Sequence, residues 1–269
     1  MPTKTKIKAY WWVCAGILAA AVILTVVLLL FRQETPQPQE TTAPTTTEAT
    51  LPAMEFTYEN GYLRCLSEPS VLGIDVSVHQ KDIDWQQVKA AGVEFVMIRV
   101  AYRGSIEGLL VPDELAQQNY TGAKAAGLRV GAYIFTQSIS VQEGIEDARY
   151  IMDMVKDWQL DMPLVYDWEI VEDHYRNGQL DPRTLTDTMK AFCQTVEDTG
   201  YDAMIYFNPT QVAQNFYLEE LTDYGLWLAH YTDQMTFPHK VDMWQYTCTG
   251  SVPGIEGNVD IDLYFPYEE

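Results

Sequence analysis

Two kinds of hydrophobic pattern alternate along the chain between residues 71 and 265. Short apolar runs rich in Val, Ile, Phe and Tyr predict strands, and segments whose apolar positions recur at the helical period predict helices. The predicted strands cover 71–78, 94–102, 128–136, 163–170, 203–208, 225–231, 242–248 and 259–265. The predicted helices cover 84–92, 113–127, 141–158 and 184–200, with a further helix near 209–217.

Strands and helices that alternate in this way are typical of right-handed βαβ units around a parallel sheet. The connections between the last three strands are too short to hold helices. The pattern therefore predicts an α/β fold, namely a modified TIM-like (β/α) barrel whose last strands lack crossover helices. The segment is about 195 residues long, which is shorter than the roughly 250 residues of a typical eight-fold barrel.

The start of the chain has a different pattern. Residues 13–31 carry no charge, and with Tyr10, Trp11 and Trp12 they reach the roughly 20 residues that span a bilayer. Lysines precede this run, so the positive-inside rule places residues 1–9 in the cytoplasm and everything after the run outside. We expect a transmembrane helix over 10–31, which precedes the barrel and makes this a single-pass protein of the cell membrane with the domain that follows outside the cell.

A cleaved signal peptide is the alternative for the same segment, and it would leave the protein secreted. A signal peptide has a shorter apolar region followed by small residues at the cleavage site. Here the run ends in Leu28, Leu29, Leu30, Phe31 and Arg32, which favours an uncleaved anchor.

Residues 32–55 are rich in Thr and Pro and offer almost nothing to bury, so they predict a linker to a domain over 56–269.

The formal net charge of -21 lies entirely beyond the basic start of the chain. Such a surface repels phosphates, and no basic stripe follows, so nucleic acid is excluded as a partner. The sequence does not indicate an oligomeric state.

Cys193 lies on an apolar helical face and is expected to be a buried thiol. A disulfide between Cys65 and Cys248 is left open as an alternative to free thiols.

In a parallel barrel, functional groups collect at the carboxyl ends of the strands. Carboxylates and tyrosines stand at these positions, and the candidates are Asp75, Asp167, Glu169, Asp260, Tyr102, Tyr133, Tyr206 and Tyr231. Because side chains alternate along a strand, Asp167 and Glu169 point to one face and Trp168 to the other. Two neighbouring carboxyls cannot both ionise easily, so one of them keeps a proton at higher pH.

Glycoside hydrolysis uses such an arrangement. One carboxylic acid protonates the leaving oxygen, and a second group attacks or stabilises the anomeric carbon. Structural roles remain open beside this interpretation: Asp75 could bond a turn, Asp260 and Asp262 could lie on a solvated edge, and any one tyrosine could belong to the core. The four histidines show no ligand spacing, and no phosphate loop or nucleophile elbow occurs, so we expect no metal and no cofactor.

An ordered set of short motifs resembles glycoside hydrolase family 25, the N-acetylmuramidases or Chalaropsis-type lysozymes. The motifs are G-I-D-V-S at 73–77, A-G-L-R-V-G-A-Y at 126–133, D-W-E at 167–169, I-Y-F-N at 205–208, W-Q-Y at 244–246 and G-N-V-D-I-D at 257–262. The resemblance covers 71–265. It implies hydrolysis of the β-1,4 bond between N-acetylmuramic acid and N-acetylglucosamine, on a modified α/β barrel without a metal, with peptidoglycan glycan strands as the partner.

The resemblance also implies roles for individual residues. Glu169 would be the general acid, Asp167 its partner on the strand, and Asp75 and Asp260 further carboxylates of the cleft. Tyr133, Tyr206 and Tyr231 would lie along the sugar-binding groove, and Tyr102 is a further substrate-binding candidate. The family often has Asn where this chain has Asp262, which is expected to add a charge near the site.

The mechanism has several possible forms. Our hypothesis is that the substrate's own acetamido oxygen attacks the anomeric carbon, steadied by Asp167, while Glu169 acts as acid and then base, which gives retention. Direct attack by an aspartate and inversion through an activated water stay open. Two other functional classes do as well: a glycosidase of the chitinase or endo-β-N-acetylglucosaminidase type, and a non-catalytic, membrane-tethered wall-binding module.

Overall fold

Eight strands close into a barrel in the computed structural model of the protein, which describes residues 54–171 and 175–266. In chain order the strands are β1 (Phe56–Glu59), β2 (Tyr62–Cys65), β3 (Val71–Val76), β4 (Phe95–Arg103), β5 (Leu110–Pro112), β6 (Arg129–Thr136), β7 (Leu164–Trp168), β8 (Ala203–Phe207), β9 (Gly225–Ala229), β10 (Met243–Gly250) and β11 (Val259–Tyr264). The barrel consists of β3, β4 and β6 to β11. Strand β3 pairs with both β4 and β11 and thereby closes the barrel, while β5 pairs with the end of β4.

Five helices cover the barrel in the described part of the chain, and they confirm the predicted alternation. They are α1 (Trp85–Ala90), α2 (Ala116–Ala125), α3 (Val141–Val155), α4 (Pro182–Glu197) and α5 (Pro209–Gln214). Local capping explains several of their starts, since the side chains of Asp84, Ser140, Asp181 and Asn208 each accept a hydrogen bond from the first turn. The predicted barrel without crossover helices between its last strands is confirmed over these residues.

The last strand differs from a fully parallel sheet. Strand β11 runs antiparallel to both of its neighbours, β10 and β3, whereas the other neighbouring barrel strands are parallel. Parallel neighbours need a crossover of a dozen or more residues. Residues 251–258 are too few for one, so the chain returns as a hairpin.

An N-terminal hairpin of β1 and β2 precedes the barrel and was not predicted. Its turn is Asn60-Gly61, and both residues have positive φ angles of 54° and 90°, as the tight turns of two-residue hairpins require. The hairpin packs on β10, where the ring of Phe56 lies 4.8 Å from that of Trp244. The Asn-Gly pair was the available sequence signal.

The barrel interior is apolar at one end and polar at the other. Phe95, Met97, Val165, Met204 and Met243 fill the apolar end, and a separate core packs the outside of the barrel against the helices. Gly73 makes room for this filling, because a Cβ atom at that position would overlap the ring of Phe95. The carboxyl group of Asp75, two residues after Gly73 on β3, therefore lies next to the apolar side chains that fill the barrel.

Some segments that were predicted from the sequence are not among the residues that the structure describes. The transmembrane helix predicted over 10–31, the cytoplasmic residues 1–9 and most of the linker predicted over 32–55 lie outside the described residues. Within 54–171 and 175–266, no helix is long and apolar enough to cross a membrane. The thiols of Cys65, Cys193 and Cys248 are free, and that of Cys193 is buried as predicted.

Candidate active site

The four carboxylates predicted from the sequence meet in one cleft of about 420 Å³. Asp75 is the last but one residue of β3, Asp167 and Glu169 come from the end of β7, and Asp260 lies on β11. Because β11 runs antiparallel beside β3, Asp260 pairs in register with Asp75. The reversed last strand therefore places its first residues, rather than its last, at the functional end of the barrel.

Three of the four tyrosine candidates also line this cleft, namely Tyr133, Tyr206 and Tyr231. Tyr102 is not among the described lining residues. Its ring instead lies 5.7 Å from the guanidinium carbon of Arg99, which does line the cleft. A substrate-binding role for Tyr102 stays a prediction.

Asp167 and Glu169 share one face of the chain, as the alternation of β7 predicts. The side chain between them, Trp168, is buried in the outer core and donates from Nε1 to the carbonyl of Ser138 at 3.0 Å. Burial raises the pKa of Asp167 well above its usual value, and the charge of Glu169 raises it further. Burial and the charge of Asp260 also raise the pKa of Glu169. The pair therefore favours a state with one shared proton.

Three side-chain amides hold the backbone around this pair. Gln137 and Asn177 donate to the carbonyl of Glu169 at 2.6 and 2.8 Å, and Gln211 donates to that of Trp168 at 2.6 Å. Both carbonyls lie at the end of β7, where the ladder of backbone hydrogen bonds stops. The amides replace that ladder and fix the position of Glu169.

Asp75 belongs to a network centred on Gln245, which the sequence placed in the W-Q-Y motif at 244–246 without a role of its own. Nε2 of Gln245 donates to Asp75 at 2.7 Å, and its Oε1 accepts from Tyr206 at 2.8 Å and from Tyr231 at 3.0 Å. The hydroxyl of Tyr133 donates to the other oxygen of Asp75 at 3.5 Å. Burial raises the pKa of Asp75 well above its usual range, and the charges of Asp260 and Asp262 add to this effect.

Arg99 is the one arginine or lysine in the described cleft wall. It pairs with the buried carboxylate of Asp113, with Nη2 and Nε at 2.9 and 3.0 Å from Oδ2. Its positive charge lowers the pKa of Asp167 and so opposes the effect of burial. The sequence feature that could have identified Arg99 as a site residue is its charge within the otherwise apolar middle of β4.

Two expectations for Asp262, a place on a solvated edge and an added charge near the site, are not met in the structure. Asp262 is 0% exposed, and it accepts from Nε1 of Trp227 at 2.9 Å. Its second oxygen has no partner among the described residues. Burial first, and then the charge of Asp260, raises the pKa of Asp262 well above its usual value, so the neutral acid is favoured. Its neighbour Asp260 has a pKa raised by burial to about 6.

No group of three or more His, Cys, Asp or Glu side chains within 54–171 and 175–266 is arranged to hold a metal ion. The cleft instead offers a carboxylic acid with a raised pKa, a second carboxyl group beside it, and tyrosine side chains in the same wall. A pair of carboxyl groups is what cleavage of a glycosidic bond uses, and the faces of tyrosine rings can hold sugars. The barrel and its site therefore define a protein of the glycoside hydrolase class.

Comparison with known proteins gives the family. The chain belongs to glycosyl hydrolase family 25, because residues 74–255 match the family described as Glycosyl hydrolases family 25. This membership makes the protein a glycoside hydrolase and agrees with the resemblance carried by the ordered motifs.

Named relatives are similar over most of the barrel. The autolytic lysozyme of Clostridium acetobutylicum is 28% identical over 197 residues, which are 71% of this chain and 55% of that protein. The chain thus spans about half the length of that relative. Lysozyme M1 of Streptomyces globisporus is 30% identical over 205 residues, 71% of this chain and 66% of that protein. The crystal structure of a bacterial lysozyme from Streptomyces coelicolor superposes with a TM-score of 0.59 at 27% identity, covering 72% of this chain and 91% of that chain.

Proposed function

We propose that the protein is an N-acetylmuramidase that hydrolyses the β-1,4 bond between N-acetylmuramic acid and N-acetylglucosamine in peptidoglycan. The observation that carries this proposal is the placement of Asp167 and Glu169 together in the cleft wall at the end of a barrel strand, where burial raises the pKa of both. Family 25 membership and two relatives named lysozymes support the substrate class.

Glu169 is the proposed general acid. It protonates the glycosidic oxygen as the bond to the anomeric carbon breaks, and the resulting carboxylate then takes a proton from the attacking water. Burial, which favours the protonated acid, supports the first half of this role. The clamp on its carbonyl by Gln137 and Asn177 supports the second, because the same carboxyl must stay in place through both steps.

Asp167 is the proposed partner of the substrate's acetamido group. Its Oδ1 is buried in the cleft wall and receives no hydrogen bond from a described amide, hydroxyl or backbone N–H. An acetamido N–H is a donor of the kind this oxygen lacks. With that group oriented, its carbonyl oxygen attacks the anomeric carbon, and water later opens the cyclic intermediate with retention of configuration.

The main test is the chemical identity of the new reducing end. Purified peptidoglycan is digested with the full-length chain in detergent, and the products are reduced and analysed by mass spectrometry. Reducing-end N-acetylmuramic acid is expected. Reducing-end N-acetylglucosamine would contradict the proposal and favour a glucosaminidase of the chitinase type, which also uses two acids on one barrel strand. The absence of any new reducing end would favour the wall-binding module.

The stereochemistry is tested separately. NMR spectra recorded during the first turnovers on a soluble glycan are expected to contain the β anomer before mutarotation. If the α anomer is released first, the enzyme inverts, and the role assigned to Asp167 fails while the muramidase activity stands.

The proposed location of the domain is outside the cell, tethered by the helix predicted over 10–31 and by the linker that follows. The basic residues before the apolar run and the acidic domain after it support this orientation. The full-length chain is expected to stay in the membrane pellet after a carbonate wash and to be digested by protease added outside the cells. Recovery of a shortened protein in the medium would instead indicate cleavage and secretion.

A further inference from the structure

A second groove, of about 580 Å³, lies beside the cleft and shares Tyr231 with it. The N-terminal hairpin contributes Tyr58 and Tyr62 to its wall. The region around β10 contributes Tyr246, Thr247 and Thr249. The four carboxylates of the cleft are not among its described lining residues. The groove therefore adjoins the cleft at Tyr231 but has a different chemistry.

The wall of this groove is aromatic and hydroxylated. Its lining includes four tyrosines together with threonine and serine hydroxyls, and Asp233 is the charged residue among the described lining residues. No described lysine or arginine lines it, so a ligand rich in carboxylates or phosphates would find no counter-charge. A neutral ring with an apolar face and hydroxyl groups at its edge fits such a wall, because it can stack on tyrosine and hydrogen-bond to threonine.

The hairpin is held firmly enough to serve as a preformed wall. Its Leu63 N–H donates to the hydroxyl of Tyr246 at 3.4 Å, and the hydroxyl of Tyr62 donates to the carbonyl of Ser251 at 3.3 Å. Phe56 packs edge-on against Trp244 in the outer core. Tyr58, by contrast, remains 59% exposed. The aromatic side chain of Tyr58 is therefore accessible to a ligand in the groove.

The hairpin also lies outside the family-matched segment, which begins at residue 74. One wall of the groove is thus built from residues that this chain places before its family domain. We infer that the hairpin adds a carbohydrate subsite, which holds an N-acetylhexosamine of the same glycan strand beyond the sugars that flank the cleaved bond. This inference rests on the proposed muramidase function, because Tyr231, which lines both the groove and the cleft, is what assigns the groove to that strand.

The test compares glycan lengths in a protein that cannot turn over. Full-length chain carrying Glu169→Gln, in detergent, is titrated by calorimetry with stem-free glycan fragments of two and of eight sugars. Tyr58→Ala is added to one sample and Thr57→Ala to another. Thr57 precedes Tyr58 on β1, is exposed and points to the opposite face, so it is a matched control.

Tyr58→Ala is expected to weaken binding of the octasaccharide by about tenfold, the loss typical of one aromatic contact, and to leave the disaccharide unchanged. Thr57→Ala is expected to change neither. Equal octasaccharide affinities in the two variants, a loss equal for both lengths, or no octasaccharide binding at all would each overturn the inference. Unchanged unfolding temperatures in both variants verify that the hairpin is intact.

The two proposals can fail separately. If the protein without these substitutions releases reducing-end muramic acid but Tyr58→Ala binds like the control, the subsite is wrong and the muramidase stands. If no glycosidic bond is cleaved but octasaccharide binding still depends on Tyr58, the muramidase is wrong and the glycan groove stands.

Discussion

Gln245 donates from its side-chain amide to Oδ2 of Asp75 across 2.7 Å. The amide oxygen of the same residue accepts from the hydroxyls of Tyr206 and Tyr231. A 180° rotation of the amide would place its oxygen against the carboxylate and its N–H₂ against hydroxyls that already donate. One glutamine therefore orients a carboxylate and two tyrosines together.

Replacing this amide is expected to impair the cleft without unfolding the barrel. Gln245→Glu keeps the length of the side chain but removes the donor, and it sets a second carboxylate against Asp75, whose pKa then rises further. We expect kcat/KM on peptidoglycan to fall by roughly 100-fold, because both Asp75 and the tyrosines lose their orientation. Gln234→Glu makes the same chemical change at an exposed position and is the control. Equal activity in the two variants would show that the network is dispensable.

Glu169→Gln directly tests the proposed role of Glu169 as general acid. The amide keeps the shape of the side chain but has no carboxylic proton to deliver, so kcat is expected to fall by roughly 100- to 10,000-fold. Binding of glycan fragments should survive, since the change removes chemistry rather than the walls of the cleft. Glu94→Gln, at an exposed position before β4, is the matched control. A variant Glu169→Gln with near-normal turnover would assign the acid to another carboxyl group.

Asp260→Asn is expected to shift the pH dependence of the reaction. The charge of Asp260 raises the pKa of Glu169, and the substitution removes that charge. Glu169 then loses its proton at lower pH, so the alkaline limb of kcat/KM should move towards acid pH. The rate profile from about pH 4 to pH 9 measures this shift. A limb that stays in place would mean that the two carboxyls do not interact in the working enzyme.

The same substitution has a predictable effect on stability. The folded-state pKa of Asp260 is about 6, raised from 3.8, so ionising this residue costs more free energy in the folded than in the unfolded protein. The folded protein therefore loses stability through Asp260 as the pH rises from about 4 to above 6. Asp260→Asn should therefore be more stable than the parent chain at pH 7, by at most about 3 kcal/mol. The difference should close near pH 4. Thermal unfolding at the two pH values checks it, and a pH-independent difference would contradict this origin.

Gln137 is predicted to position the general acid without touching the substrate. Gln137→Met keeps the length of the side chain and removes the N–H that holds the carbonyl of Glu169, so kcat should fall by about tenfold while KM stays unchanged. Gln142→Met, an exposed change at the start of α3, is the control. A rise in KM with normal kcat would show that the amide shapes the binding walls instead.

Much of the site was predictable because strand periodicity is a local property. The alternation of β7 determines that Asp167 and Glu169 share a face, and the rule that functional groups collect at strand ends brings them together with Asp75. Asp260 was also identified, although the sequence did not indicate that its strand is reversed. The hairpin was missed, although the Asn-Gly pair at its turn was visible.

The remaining features depend on contacts between distant parts of the chain. Gln245 and Asp75 are 170 positions apart, and no local pattern pairs them. Tyr102 is placed at a strand end by its position in the sequence, yet whether its ring reaches the cleft depends on how β4 packs. Asp262 shows the same limit, because its charge state follows from complete burial beside Asp260.

The barrel, the placement of Asp167 and Glu169 on one face and the likeness to family 25 could all be read from the sequence, since they follow from periodicity and from ordered local motifs. The sequence did not indicate which carboxyls burial favours as neutral acids, which amides orient them, or that a hairpin lines a groove beside the cleft. Desolvation and hydrogen bonding act through space, so a pKa value or a groove is set by whichever elements the closed barrel brings together.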